Sequence, residues 1–487
     1  MKNHRRLWYL LALGGCLLLG AALSSCAPDT SAPELQPTIT ATPPETQVDE
    51  GTAVSETGGA SGVTSVEFTD TTCLTCHTNQ EMLKALAAAG EEPAVDGADL
   101  QVEAGQKFLI DAEAYAKDVH AYINCTTCHG GNSAASWPDV HTGLIANPSD
   151  YPEATCGTCH PNIAPDAAKS LHFTQAGYDT ALQARSSAEH VPALDAMQSE
   201  QCESCHASCG DCHIGEPSMA GGGLLAGHVF VRTPPAGQTC ALCHSSTVNT
   251  EYAGLNEGLP ADVHLVQAQM TCTDCHGGDE MHGIGAAGEQ AHRYDGAPEP
   301  ACESCHADQV GIGSGIILHE LHGTEILSCQ ACHSVAYSSY SVTADENGPS
   351  YSLEAGTTAF LLGKNPLPSA ERPWRYVPLR HIPIDANSFS AYGENLLDNF
   401  LSESTWGYAT PHNIQRNTPQ TASCASCHSN DAVFLTPDKI AEGERAGANL
   451  SVMVDVAPPL PSNLAELMTQ VLERINQSKQ SDGSSAD

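Results

Sequence analysis

One five-residue pattern, Cys-x-x-Cys-His, occurs ten times in this 487-residue chain and uses twenty of its 22 cysteines. The first cysteines of the ten motifs are Cys73, Cys125, Cys156, Cys202, Cys209, Cys240, Cys272, Cys302, Cys329 and Cys424. The second cysteines are Cys76, Cys128, Cys159, Cys205, Cys212, Cys243, Cys275, Cys305, Cys332 and Cys427. The histidines that follow are His77, His129, His160, His206, His213, His244, His276, His306, His333 and His428. The chain must therefore fold around whatever these thiols bind.

The spacing within each motif predicts covalent attachment of a c-type haem. Two thiols three residues apart lie on one side of a helical turn and can both reach one edge of a porphyrin. The histidine that follows is then carried under the iron as its proximal ligand. We therefore expect ten haem c groups, with the twenty motif cysteines as attachment sites and the ten motif histidines as proximal ligands.

Three other uses of cysteine are weaker interpretations. Disulfides suit an exported protein, but they do not require a histidine after every second cysteine. Zinc sites combine Cys-x-x-Cys pairs in twos, which leaves ten tandem pairs with histidines unexplained. The Cys-x2-Cys-x2-Cys-x3-Cys-Pro run of some iron–sulfur proteins is absent from the sequence. The adjacent motifs at Cys202 and Cys209 are the least secure, because together they could imitate a four-cysteine metal site.

Twelve further histidines are candidates for the distal ligands of the ten irons, and ten of the twelve are required. They are His120, His141, His172, His190, His228, His264, His282, His292, His319, His322, His381 and His412. Because candidates outnumber haems, we expect every iron to be six-coordinate and low-spin. Individual pairings, and the identity of the two surplus histidines, do not follow from the sequence. The short spacing of the fourth and fifth motifs predicts that their haems are one of the closest pairs.

Composition supports an interior filled by cofactors. Only 5% of the residues are aromatic and 16% are charged, which is little material for an ordinary core. We predict a mainly irregular fold with short α-helices, packed around haems, with little β-structure. Acidic residues outnumber basic residues 58 to 19, for a net charge of −39. A basic patch that binds nucleic acid is therefore excluded.

The N-terminus predicts export and a lipid anchor. Residues 1–25 read as a signal peptide, with Lys2 and two arginines ahead of a short apolar run. The sequence Leu23-Ser24-Ser25-Cys26 resembles the lipobox of bacterial lipoproteins, which implies cleavage before Cys26 and lipidation of this residue. Residues 26–66 are rich in proline, threonine and serine and predict a flexible tether. We expect the protein to be anchored to the outer face of the cell envelope, either on the periplasmic side or on the cell-surface side.

The rest of the chain divides by its motifs. Residues 67–333 hold nine motifs and an internal duplication of about 118–172 and 262–319. In it, Asp118-Val119-His120 before one motif matches Asp262-Val263-His264 before another. Residues 334–430 hold the tenth motif and an aromatic segment. Residues 431–487 form a tail with one amphipathic helix.

The basic residues of the aromatic segment have two interpretations. They are Lys364, Arg372, Arg375, Arg380 and Arg416. They pair with haem propionates, or they form an oxyanion pocket or a docking face.

The ten motifs, and the phrase Pro411-His412-Asn413-Ile414 ahead of the last, make residues 70–430 similar to multihaem c-type cytochromes of the class III and octahaem-related kind. The resemblance implies a decahaem protein that carries electrons to or from redox proteins or extracellular acceptors. Two alternatives remain. One is a multihaem oxidoreductase of nitrogen or sulfur oxyanions, which needs an iron with an exchangeable site. The other is a subunit of a conductive filament formed by self-association.

Overall fold

A computed structural model describes residues 70–87 and 105–483, apart from short gaps at 203–204, 218–221, 225, 257, 287, 289, 296–298, 337, 346–347 and 359. The predicted signal peptide, Cys26 and the tether lie outside the described residues. Within the described part of the chain, no helix is both long enough and apolar enough to cross a membrane.

Most of the helices are one or two turns long. They are α1 (Thr71–His77), α2 (Gln80–Ala87), α3 (Ala112–Tyr115), α4 (Cys125–His129), α5 (Ala164–Ala167), α6 (Leu171–Thr174), α7 (Ala176–Gln183), α8 (Val191–Gln201), α9 (Cys209–His213), α10 (Cys240–Cys243), α11 (Thr250–Tyr252), α12 (Val263–Ala268), α13 (Cys272–Cys275), α14 (Gly278–Met281), α15 (Glu303–His306), α16 (Ile317–His322), α17 (Cys329–His333), α18 (Asn449–Val452) and α19 (Leu464–Gly483). Only α8 and α19 exceed eight residues.

Nine of the ten motifs form a helical turn. Seven coincide with helices, and the motifs at Cys156 and Cys424 form 3-10 turns. Polar residues just ahead of the motifs start these turns. For example, Asp211 accepts a hydrogen bond from the backbone N–H of Ser208 at 2.7 Å, in a capping box. The fourth motif differs, because its Cys202 is the residue that ends α8.

Five strands form two small antiparallel sheets after the ninth motif. Strands β1 (Ser338–Asp345) and β2 (Gly348–Thr358) form a hairpin. Strands β3 (Leu361–Lys364), β4 (Tyr376–His381) and β5 (Trp406–Tyr408) form a sheet with β4 in the centre. Every residue of β3 to β5 that faces the core is apolar, which fits a sheet covered by side chains rather than by solvent. The predicted scarcity of β-structure and the many short helices are confirmed.

The buried apolar side chains are unevenly distributed along the described chain. Ten of the 31 lie in residues 70–333 and twenty-one lie in residues 334–483. One cluster joins Leu194 and Met197 of α8 to Phe389, Leu397 and Phe400. Two more surround β3 to β5, where Val377 and Leu379 are fully buried. The helical turns of the motifs contribute almost nothing to these clusters.

Candidate cofactor-binding cavity

A single large cavity of about 4100 Å³ runs through the motif-bearing part of the fold. Both cysteines and the histidine of nine motifs line it, whereas the fourth motif contributes only Cys205. Divided among nine motifs, the volume is about 460 Å³ each, within the range of roughly 300–1,000 Å³ of a pocket for one small ligand or cofactor. The motif region is therefore built around a space that its own side chains do not fill.

Each of the nine cavity-lining motif histidines faces one histidine from outside the motifs. The pairs are His77–His141, His160–His120, His129–His228, His244–His172, His213–His282, His306–His264, His276–His412, His333–His319 and His428–His322. Their ring centroids are 6.0–6.4 Å apart, although the angles between the rings vary from 22° to 82°. The distance between the two ring centroids is therefore nearly the same in all nine pairs, although the angle between the rings varies widely.

The constant distance has a simple geometric explanation. A bond between a metal ion and an imidazole nitrogen is about 2 Å long, so two rings on opposite sides of one ion have centroids about 6 Å apart. Direct ring packing predicts no such fixed value, because aromatic pairs occur over roughly 4.5–7 Å. The eighteen side chains therefore fit nine metal ions with two trans imidazole ligands each.

Hydrogen bonds fix the orientation of ten of the eighteen rings through Nδ1. Backbone carbonyls accept from seven of them, as in His213 to the Val231 oxygen at 2.7 Å and His333 to the Gln415 oxygen at 3.0 Å. Carboxylates accept from the other three, as in His276 to Glu280 at 2.9 Å. A ring that donates through Nδ1 offers Nε2 as the free nitrogen, which is the usual arrangement of a metal-bound histidine.

Burial keeps several of these rings in the neutral form that binds metal. It lowers the pKa values of His172, His244 and His282, and of the pair partners His129 and His228, below the usual histidine range. Charged neighbours such as a second imidazole lower them further. A neutral imidazole is the state that can donate its lone pair to a metal ion.

Two buried imidazole nitrogens have no hydrogen-bond partner within the described protein. They are Nδ1 of His228 and Nδ1 of His412. An unpaired buried polar atom costs free energy, so such atoms are rare in folded proteins. That both belong to the pairs above fits a cavity that receives a non-protein group.

The two copies of the duplicated sequence hold their histidines in the same way. Asp118 accepts hydrogen bonds from the N–H and the ring of His120 at 2.8 and 3.0 Å, and from the Phe230 N–H at 2.7 Å. These bonds outweigh the effect of burial and lower the pKa of Asp118. The second copy repeats all three bonds.

In that copy Asp262 accepts from the N–H and the ring of His264 at 2.7 and 2.9 Å, and from the Ile414 N–H at 2.7 Å. Phe230 and Ile414 each lie two residues after a paired histidine, His228 or His412. One aspartate in each copy thus positions two distal candidates. The repeated Asp-Val-His sequence was the signal that could have assigned this positioning role to Asp118 and Asp262.

Contacts between thiols arrange the motifs in a row. Within the row, four pairs lie close enough to shift each other's pKa values most strongly: Cys73–Cys125, Cys156–Cys209, Cys240–Cys272 and Cys302–Cys329. Four further pairs are close enough for their charges to interact: Cys128–Cys156, Cys212–Cys240, Cys275–Cys302 and Cys332–Cys427. Together they order the motifs first, second, third, fifth, sixth, seventh, eighth, ninth and tenth.

The fourth motif branches from this row. Its Cys205 forms a hydrogen bond with Cys243 of the sixth motif. Cys212 of the fifth motif also lies close enough to Cys243 to interact with it, so the fourth and fifth motifs share a neighbour. The predicted closeness of their haems stays a prediction.

Three of the twelve distal candidates face no motif histidine within the described residues, and none of them lines the cavity. His381 bonds through both ring nitrogens, Nδ1 to the Ile382 carbonyl at 2.6 Å and Nε2 to Glu444 at 3.0 Å. His292 packs on Tyr294 with centroids 4.8 Å apart. His190 lies 3.9 Å from its neighbour Glu189.

Among the described residues, no group of three or more histidine, cysteine or acidic side chains gathers at one point. The arginines of the aromatic segment divide between roles. Arg372 pairs with Glu299 and Arg380 with Glu251, each at 2.6 Å, while Arg375 and Arg416 line the cavity.

No protein-family model, no curated protein and no solved structure shows significant similarity to this chain.

Proposed function

We propose that the chain binds ten haem c groups covalently and transfers electrons along them. The observation that supports this most strongly is the nine histidine pairs, each formed by one motif histidine and one other histidine at a single spacing. A motif that attaches haem and a second imidazole at the distance of a trans ligand are independent features. They coincide at nine of the ten motifs.

The side chains of this proposal have defined roles. The two cysteines of each motif would hold a porphyrin through thioether bonds, and the paired histidines would serve as ligands of its iron. The backbone carbonyls and carboxylates that accept from Nδ1 orient the ligands and raise their basicity. Bound haem iron supplies one-electron chemistry by alternating between the ferric and ferrous states. The row of thiols keeps neighbouring motifs in contact, which is what stepwise transfer requires.

We further propose that the protein acts outside the cytoplasm, anchored by a lipid on Cys26. The acidic surface, with a net charge of −39, favours the more positive ferric state and therefore low reduction potentials. It also favours redox partners with basic surfaces, metal-containing extracellular acceptors, or contacts between copies through a neutral face. Nucleic acid is not a partner.

Mass spectrometry of the intact mature protein tests the cofactor count. We expect ten haem additions and the lipid on the N-terminal cysteine. Eight additions or fewer would contradict the decahaem assignment. Replacing Cys26 by alanine should release the protein from the membrane fraction without changing the number of haems, and retention in the membrane would place the anchor elsewhere.

A pair of histidine variants tests the ligand assignment. His412→Ala removes the partner of His276 and should convert one low-spin haem into a high-spin haem in the EPR spectrum. His381→Ala is the matched control, because this histidine is also predicted from the sequence but bonds to Glu444. An equal effect of both variants would contradict the pairing.

A further inference from the structure

We propose, resting on the haem assignment above, that the haem of the fourth motif keeps one iron position open and binds a small exogenous ligand there. The ligand class is a small molecule that bonds to iron through carbon or nitrogen, such as carbon monoxide or nitrite. The site is a side branch of the row, formed by Cys202, Cys205 and His206.

The first argument is the missing partner of His206. Each of the other nine motif histidines has a second imidazole at 6.0–6.4 Å. The ring contact of His206 is with Phe173 instead, at 4.9 Å between centroids and 62° between planes. All 22 histidines after His4 lie in the described residues, and none of them forms a ring contact with His206 there. Phenylalanine cannot bind iron, so this contact supplies no sixth ligand.

The second argument is the placement of the three leftover histidines. His381 uses both ring nitrogens. His292 accepts a hydrogen bond at Nδ1 from the Tyr294 N–H at 3.3 Å and packs on the same tyrosine. His190 precedes α8, at the opposite end from Cys202, and the helix separates the two backbones by about 18 Å.

The third argument is the position of the motif. His206 and Cys202 are not among the residues that line the main cavity, whereas every paired histidine is. Cys202 instead packs beside the apolar cluster of Leu194, Met197 and Phe400. Cys205 reaches the row at Cys243. A haem attached here lies at the edge of the cavity, in contact with the row through one neighbour.

These features assign electron transfer to the row and the binding of an exchangeable ligand to the branch. A row of doubly ligated irons passes electrons without binding substrate, because both axial positions are occupied. A branch with a single protein ligand can accept a small molecule and exchange electrons with the row through the sixth motif. This position gives a specific place for the oxidoreductase alternative within an electron-transfer protein.

The test uses the full-length, haem-loaded protein. We expect one high-spin ferric haem in ten by EPR, and one equivalent of carbon monoxide bound per chain after reduction, measured by optical titration. Cys202→Ser combined with Cys205→Ser should lower the intact mass by one haem and abolish both signals, with nine low-spin haems remaining. Nitrite should convert the high-spin signal to low-spin in the parent protein and leave the double variant unchanged.

His190→Ala and His292→Ala are the matched controls and should change neither signal. A new high-spin signal in either variant would overturn the proposal, because that histidine would then be the sixth ligand. The proposal is equally overturned if the high-spin signal appears only on dilution, since a second copy would then donate the ligand. If the parent protein carries nine haems and the double variant also carries nine, this inference alone is overturned. If the parent protein carries only a few haems, the proposed function itself is overturned.

Discussion

In the described residues 70–333, the motif region, helical turns surround a cavity of about 4100 Å³ and ten apolar side chains are buried. In residues 334–483, the C-terminal region, twenty-one apolar side chains are buried around a three-stranded sheet. The first region positions nine motifs around a space. The second also carries the tenth motif and lines part of the cavity, but it fills most of its interior with its own side chains. The two regions therefore differ in what stabilises them.

The largest expected effect concerns haem attachment. If the chain is produced without haem, the motif region loses the groups that would fill its cavity, so we expect it to unfold. The cluster that contains Leu379 and Leu435 includes no motif residue, so the C-terminal region should keep structure around it. Limited proteolysis with thermolysin should digest residues 70–333 and leave a fragment of about 360–475. The haem-loaded protein is the control, and equal protection of both regions in the haem-free chain would contradict the comparison.

A core substitution tests the C-terminal region by itself. Leu379 is fully buried against Leu361, Val377 and Trp406, and Leu379→Ala should lower the free energy of unfolding by about 2–5 kcal/mol. The control is Leu255→Ala in the motif region, where the side chain is 65% exposed and the expected change is within about 0.5 kcal/mol. Urea unfolding followed by circular dichroism measures both. Similar effects would mean that Leu379 is not part of an independent core.

Arg185 connects the two regions. Its guanidinium donates to the carbonyls of Phe400, Glu403 and Ser404 at 2.5, 2.8 and 2.7 Å, and the residue is 5% exposed. Arg185→Met would leave these acceptors unpaired, so we expect a loss of about 2–3 kcal/mol. Lys117→Met removes an exposed pair with Glu113 and should cost less than about 0.5 kcal/mol. A single cooperative transition in both variants would show that the two regions unfold together.

The helical turns of the motifs were predictable because each motif is local: five consecutive residues define it, and one turn brings its two thiols to the same side. The pairing was not, since His276 and His412 are 136 residues apart and His160 lies opposite a histidine 40 residues earlier. The strands were also missed. β3 and β5 have four and three residues, too few for a periodic signal, and form because Val377 and Leu379 of β4 pack between them and the C-terminal clusters.

The number of candidate histidines does not show which of them contact motif histidines. Twelve candidates for ten irons predict full ligation, which stays a prediction, and side chains are also recruited for other contacts. His381 shows how: it lies at the end of β4, pairs with Glu444 and packs on Trp406 with centroids 5.6 Å apart. Its role follows from the sheet, and the sheet is not visible in the spacing of the histidines.

The smallest expected effect follows from that same pair and is confined to the C-terminal region. Burial acts to raise the pKa of Glu444, but hydrogen bonds from His381 and from the Thr405 hydroxyl at 2.6 Å lower it overall. A carboxyl with a lowered pKa stabilises the fold above its unfolded pKa of about 4.3, and this contribution disappears as the pH falls through the folded value.

Glu444→Gln should therefore lower stability at pH 6 by less than about 1 kcal/mol, since the site is partly hydrated, and the difference from the parent should vanish near pH 3. Glu466→Gln, at an exposed position on α19, is the control for the loss of one negative charge. Urea midpoints measured from pH 3 to pH 7 give the result, and a difference that grows on acidification would mean that Glu444 is not held as a carboxylate. If the stability difference between Glu444→Gln and the parent protein also changes when the haems are reduced, this ion pair couples the C-terminal region to the motif region. The two regions would then not be independent.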